Sequence, residues 1–112
     1  MDIFKKDTII KRTIELAGKI NKLENDVADL AVKLATAERE LEEKEAELIL
    51  NGTVDGKNAE VRKAQLLQHT KNELDRIAKI KADYTKNKAQ LSAVQEELKA
   101  LSVLAKLMDK EE

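Results

Sequence analysis

The chain has 112 residues, of which 42% are hydrophobic, 38% charged and 2% aromatic, with three Gly and no Pro, Cys or Trp. That length permits one domain, and the lack of cysteine excludes a disulfide framework, a thiolate nucleophile and a Cys-based zinc site. With 21 basic residues against 22 acidic ones, bulk positive charge gives no argument for nucleic-acid binding. No apolar run approaches the roughly 18 residues of a membrane span, and no basic-apolar-small leader opens the chain, so a cytoplasmic location without membrane association is expected.

Ala, Leu, Glu, Lys and Gln dominate, all strong helix formers, and the strongest breaker is missing. Apolar residues fall at Leu16, Ile20, Leu23, Val27, Leu30, Leu34, Ala37, Leu41 and Leu48, stepping by four and three, with Lys44 as the one polar interruption. The same register extends back through Thr13 to Ile9. This heptad seam predicts helix one over about residues 5–50. Gly18 lies inside it and weakens it by about 1 kcal/mol relative to Ala.

Residues 51–58 then gather Gly52 and Gly56 with Asn51, Asp55 and Asn58, types that turn the chain or cap it. Gly52 suits the cap that closes helix one, and Asn58 the cap that opens helix two, with Glu60 meeting the positive end of the helix dipole. A loop over 51–58 is predicted, short enough for the helices to fold back on each other.

Helix two is predicted over about 59–109, with a seam of Ile77, Ile80, Tyr84, Asn87, Leu91, Val94, Leu98, Leu101, Ala105 and Met108. Upstream, Leu67, Thr70 and Leu74 join it through two consecutive steps of three. Such a stammer overwinds a coiled coil locally, so irregular packing is expected near residues 74–80. Asn87 occupies a seam position, where a polar residue gives up stability and fixes register or oligomeric state.

Charge blocks support the same layout. Residues 1–22 carry net +3 and 24–50 net −6, whereas 57–88 carry +5 and 96–112 carry −2. Folding back near residue 54 sets each block beside its opposite, while parallel pairing of two copies juxtaposes like charges. Exposed pairs contribute only about 0–1 kcal/mol each, so the pattern selects orientation more than stability. The expected fold is therefore all-α, a single antiparallel two-helix coiled-coil hairpin. Two helices alone enclose little interior, so assembly into a four-helix bundle or higher oligomer is expected.

Chemistry-bearing constellations are sparse. His69 has no second His or Cys to join it at a metal, and the glutamates between Glu38 and Glu47 radiate to several sides of a helix. No GxSxG elbow or phosphate-binding loop is present, so no enzymatic activity, cofactor or metal is expected. Asn51-Gly52-Thr53 matches a glycosylation sequon, read as coincidence in a chain without a leader. Apolar residues exceed the seam at both chain ends, which makes Phe4, Ile10, Leu104, Leu107 and Met108 candidate partner-binding residues, among neighbours that include Ile3, Ile9, Leu101 and Val103. The alternative is nucleic acid, with Lys79, Lys81, Lys86 and Lys88 on helix two neutralising phosphates. Phe4 and Tyr84 are the only aromatic residues, which serves base stacking poorly, and the acidic block of helix one competes for the same lysines.

The stretch Asp55-Gly56-Lys57-Asn58-Ala59-Glu60-Val61-Arg62-Lys63-Ala64-Gln65-Leu66, set between two long charged helices, resembles the string that opens the second helix in small uncharacterised helical-hairpin proteins of tailed phages and prophages of Gram-positive bacteria. That resemblance implies an early-region phage product, encoded near recombination or single-strand-binding genes, and assigns no activity or functional residue. Prefoldin subunits are similar in length and in their two coiled-coil helices, but about eight loop residues leave no room here for the β-hairpins of that family. The function expected is a protein–protein interaction or adaptor module, a homo-oligomer with a further protein partner, and in the alternative an accessory nucleic-acid-binding protein of recombination or replication.

Overall fold

The computed structural model describes residues 5–111, and their fold is all-α. Helix α1 runs Lys6–Leu50, α2 Ala59–His69 and α3 Lys71–Glu111, with no strand among the described residues. The chain divides into two compact units. One joins α1 up to Ala28 to α3 from Thr85 onward, and the other is Asp29–Tyr84.

In the first unit, Ile9 and Leu16 are the buried apolar residues, seven apart and so on one line of α1. Thr13, Ile20, Leu23 and Val27 flank them half-buried, as do Leu91, Val94, Leu98, Leu101, Ala105 and Met108 of α3. Thr13 sits at an apolar position without loss because its hydroxyl donates to the Ile9 carbonyl at 2.8 Å. Asn87 is half-buried, a polar residue within the apolar line of α3.

The second unit buries Ala37, Val54, Thr70 and Ile77. Leu30, Leu34, Leu41 and Leu48 of α1 lie half-buried beside them, together with Leu74, Ile80 and Tyr84 of α3. Every seam position from Ile9 to Leu48 is thus at least half-buried, Lys44 included.

The turn is built from a few directed bonds. Gly52 takes a left-handed φ of 82°, which only glycine adopts without strain, and its amide donates to the Ile49 carbonyl. The Asn51 side chain accepts from the Thr53 amide at 3.0 Å, so the sequon residues serve the cap. Val54 donates to the Leu48 carbonyl at 3.0 Å and tucks its own side chain inside. Asn58 caps α2 by accepting from the Val61 amide at 2.9 Å. Gln65 reaches back across the turn: its carbonyl oxygen accepts from the Asp55 and Gly56 amides, and its NH2 donates to the Asp55 carboxylate.

The single second helix expected over 59–109 is instead two. Thr70, at φ −122° and ψ 20°, leaves the helical region between α2 and α3. Its buried hydroxyl donates to the Leu66 carbonyl at 2.6 Å, and its carbonyl accepts from the Leu74 amide. A hydroxyl bonded back to a carbonyl four residues earlier favours a bend but does not end a helix by itself, since Thr13 and Ser102 make the same bond inside unbroken α1 and α3. The change of direction turns α2 so that Leu66 is half-buried, while Leu67, the expected seam residue, is 49% exposed. The irregularity expected at residues 74–80 therefore falls at Thr70, and residues 74–80 lie in unbroken helix. No α2 residue is fully buried.

Gly18 is the third glycine, inside α1, with no atom within 4 Å of where a Cβ would stand. Gly18→Ala is expected to raise stability by about 0.5–1 kcal/mol through helix propensity, read as a higher melting temperature in circular dichroism with the helical signal undiminished.

Candidate interaction surface

Specific polar contacts join α1 to α3 within each unit. In the first unit, the Arg12 guanidinium donates to both carboxylate oxygens of Glu97, at 2.6 and 2.9 Å, and to Glu15 at 3.3 Å. Charge-assisted forks of this kind are the strong class of hydrogen bond. They hold the Glu97 carboxyl below the usual carboxylate range and raise the guanidinium further. In the second unit, Arg76 pairs with Glu40 at 2.7 Å and Lys44 with Glu73 at 2.5 Å. The Glu73 carboxyl is also lowered, first by the Lys44 bond and then by its own backbone amide.

Lys44 thereby accounts for the polar interruption in the α1 seam: its ammonium meets Glu73 at a half-buried position. The other Glu73 oxygen is buried without a hydrogen-bond partner. Two of these pairs follow the sequence blocks, basic 1–22 against acidic 96–112 and acidic 24–50 against basic 57–88, whereas Lys44–Glu73 reverses both signs. Block charges alone hid the reversed pair. The usable signal was a lone lysine on an apolar stripe.

Both carboxyls impose a pH dependence. A carboxyl held below its unfolded value contributes stability at pH above that value and loses it as pH falls through the folded one. The melting temperature is expected to stay level from neutral pH to about 5 and to fall below about 4.5, the ordinary glutamate value. Glu73→Gln combined with Glu97→Gln should flatten that acid limb in a pH series of melts.

An open cleft of about 640 Å³ lies beside the Arg12–Glu97 fork, with Thr8, Ile9, Lys11 and Leu101 among its walls. Its floor is apolar and its rim carries both signs, and Arg12 is already committed to two carboxylates. Such an arrangement suits packing against another side chain better than proton transfer or anion capture. Among the described residues, no group of three or more His, Asp or Glu is placed to hold a metal ion, and no helix is long and apolar enough to cross a membrane.

The expected partner-binding residues separate in the structure. Ile10 and Leu107 are about half exposed, as is Val103, whereas Leu104 and Met108 are half-buried. Ile9, named with this cluster, is buried and spent on the core. Phe4 lies outside the described residues. Lys79, Lys81, Lys86 and Lys88 are all exposed, the first two in the second unit and the last two in the first.

Sequence reasoning did not single out a second apolar surface, around the turn of the second unit. Ile49 and Leu50 at the end of α1, with Val61 and Leu67 on α2, are 44–87% exposed. Leu67 joins this set only because the break at Thr70 turns it outward, which a continuous seam concealed.

Comparison with known proteins found no matching family model, no similar curated protein and no similar solved structure.

Proposed function

We propose that this chain is a non-enzymatic protein–protein interaction or adaptor module, cytoplasmic and phage or prophage encoded, in which an antiparallel coiled-coil hairpin self-associates and binds a further protein. The observation that carries this reading is the distribution of apolar side chains. Among the described residues the buried apolar ones are Ile9, Leu16, Ala37, Val54 and Ile77, while nine large ones, Ile14, Val32 and Leu50 among them, are exposed. Exposed apolar surface in excess of the buried core marks a protein that completes its packing in an assembly.

The ion pairs support the antiparallel pairing: as the α1 partner moves from Lys44 back to Glu40, the α3 partner advances from Glu73 to Arg76. The string from Asp55 to Leu66, which resembles phage helical-hairpin proteins, supports the origin. Its Gly56, Asn58, Arg62 and Gln65 are the residues that bond the turn together.

Sedimentation equilibrium tests the reading, with an expected mass that is a multiple of 12.6 kDa; a strictly monomeric mass at millimolar concentration contradicts self-association. The nucleic-acid alternative rests on the exposure of Lys79, Lys81, Lys86 and Lys88. It predicts salt-sensitive retardation of an oligonucleotide that is abolished when those four charges are reversed. Against it, Arg76 of the same basic stretch is engaged by Glu40.

A further inference from the structure

We infer that the turn end of the second unit is the surface on which a second copy of this chain docks, in a two-fold arrangement that crosses α1 of each copy with α2 of the other. The inference rests on the self-association proposed above and locates it.

The surface has an apolar centre. Leu50 is 87% exposed, and Ile49, Val61 and Leu67 are each about half exposed. On α2 Leu66 is half-buried and its neighbour Leu67, about 100° round the helix, is about half exposed, so the helix has one face for its own chain and another left over.

Around this centre the charges are segregated by element. On α1, Glu42 precedes Ile49 by seven residues and Glu43 precedes Leu50 by seven, which places each carboxylate on the same line as an exposed apolar residue. On the other side, Lys57, Arg62 and Lys63 surround Val61, against the acids Glu60 and Asp55, the latter bonded to Gln65, and Lys63 lies one turn from Leu67. Within the chain these sets do not satisfy each other. Glu43 reaches only Arg39 at 3.8 Å, and Arg62 donates to the Gly56 carbonyl. Glu42, Lys57 and Lys63 are exposed and make no ion pair among the described residues.

A two-fold interface must be self-complementary. Here one patch carries an acidic side, a basic side and an apolar centre, so rotation by 180° sets the acids of each copy on the bases of the other and closes the centre over itself. A patch with one sign of charge repels its own copy.

Charge exchange followed by sedimentation tests this. One variant carries Glu42→Lys and Glu43→Lys, so that both sides of its patch are basic; the other carries Lys57→Glu and Lys63→Glu, so that both are acidic. Each alone is expected to dimerise at least tenfold more weakly than wild type, and an equimolar mixture to recover wild-type affinity as a mixed dimer. Leu50→Ser with Leu67→Ser should weaken association by at least tenfold with an unchanged circular dichroism spectrum, because both positions are exposed. Wild-type affinity in both single-charge variants, or a mixture no tighter than its components, overturns the inference. A wild-type oligomer that survives all these changes leaves self-association standing and excludes this surface. A monomeric wild type defeats both.

Discussion

Leu16→Asp is expected to abolish cooperative melting of the helices, the largest effect of any single substitution in the chain. Leu16 is fully buried, and among the described residues of its unit Ile9 is the other buried apolar side chain. Truncation to alanine costs about 2–5 kcal/mol at a buried leucine, or at least about 8 °C in melting temperature for a domain of this size. A carboxylate at the same place adds desolvation of a charge with no cation beside it. Arg12, one turn away, is already forked onto Glu97 and donates to Glu15. The control is Ile14→Asp, two residues along α1 and 68% exposed, which should leave the melt within about 0.5 kcal/mol of wild type. Thermal circular dichroism of the pair discriminates sharply: equal melts for the two variants would mean that burial along α1 does not follow the line from Ile9 to Leu48.

That line was legible in the sequence because a period of alternating three and four residues has one structural consequence, a stripe on one side of a helix. Burial followed it at every position of α1, even at Lys44. The turn was legible for the same kind of reason: Gly52 and Asn58 are residue types whose backbone and side-chain chemistry match a cap. Thr70 was harder to read. On a seam it passes for a tolerated polar residue, and only three dimensions show its backbone leaving the helical region while its hydroxyl takes the Leu66 carbonyl. Once the helix breaks there, the register upstream is free to rotate, which is why Leu66 replaced Leu67 and why the exposed surface at the turn was invisible in one dimension. The partners of Arg12 and Lys44 needed the pairing of α1 with α3 to within one residue, and block charges fix that only to within several turns.

Gly56 supplies the second large effect, and its cause differs from that of the other two glycines. Its φ is not in the left-handed region, where Gly52 lies. A Cβ at Gly56 would instead stand 2.6 Å from Cγ1 and 2.9 Å from Cβ of Val61, and 3.0 Å from the backbone nitrogen of Arg62. The first two contacts are with a stiff β-branched side chain and the third with helix backbone, so none yields cheaply. The bonds around that position suffer together: the Gly56 amide donates to Gln65 and its carbonyl accepts from the Arg62 guanidinium. Gly56→Ala is therefore expected to destabilise by about 1–3 kcal/mol, the range of overpacking, whereas Gly18→Ala stabilises. Adding Val61→Ala removes the Cγ1 clash and leaves those with Cβ and with the Arg62 nitrogen, so the double variant should lose somewhat less than the sum of the two singles, a partial rescue that a thermodynamic cycle resolves. If Gly56→Ala melts like Gly18→Ala, the close packing of the turn onto α2 is not what holds residues 55–66 in place, and the bonds from Gln65 and Asn58 must carry the turn by themselves.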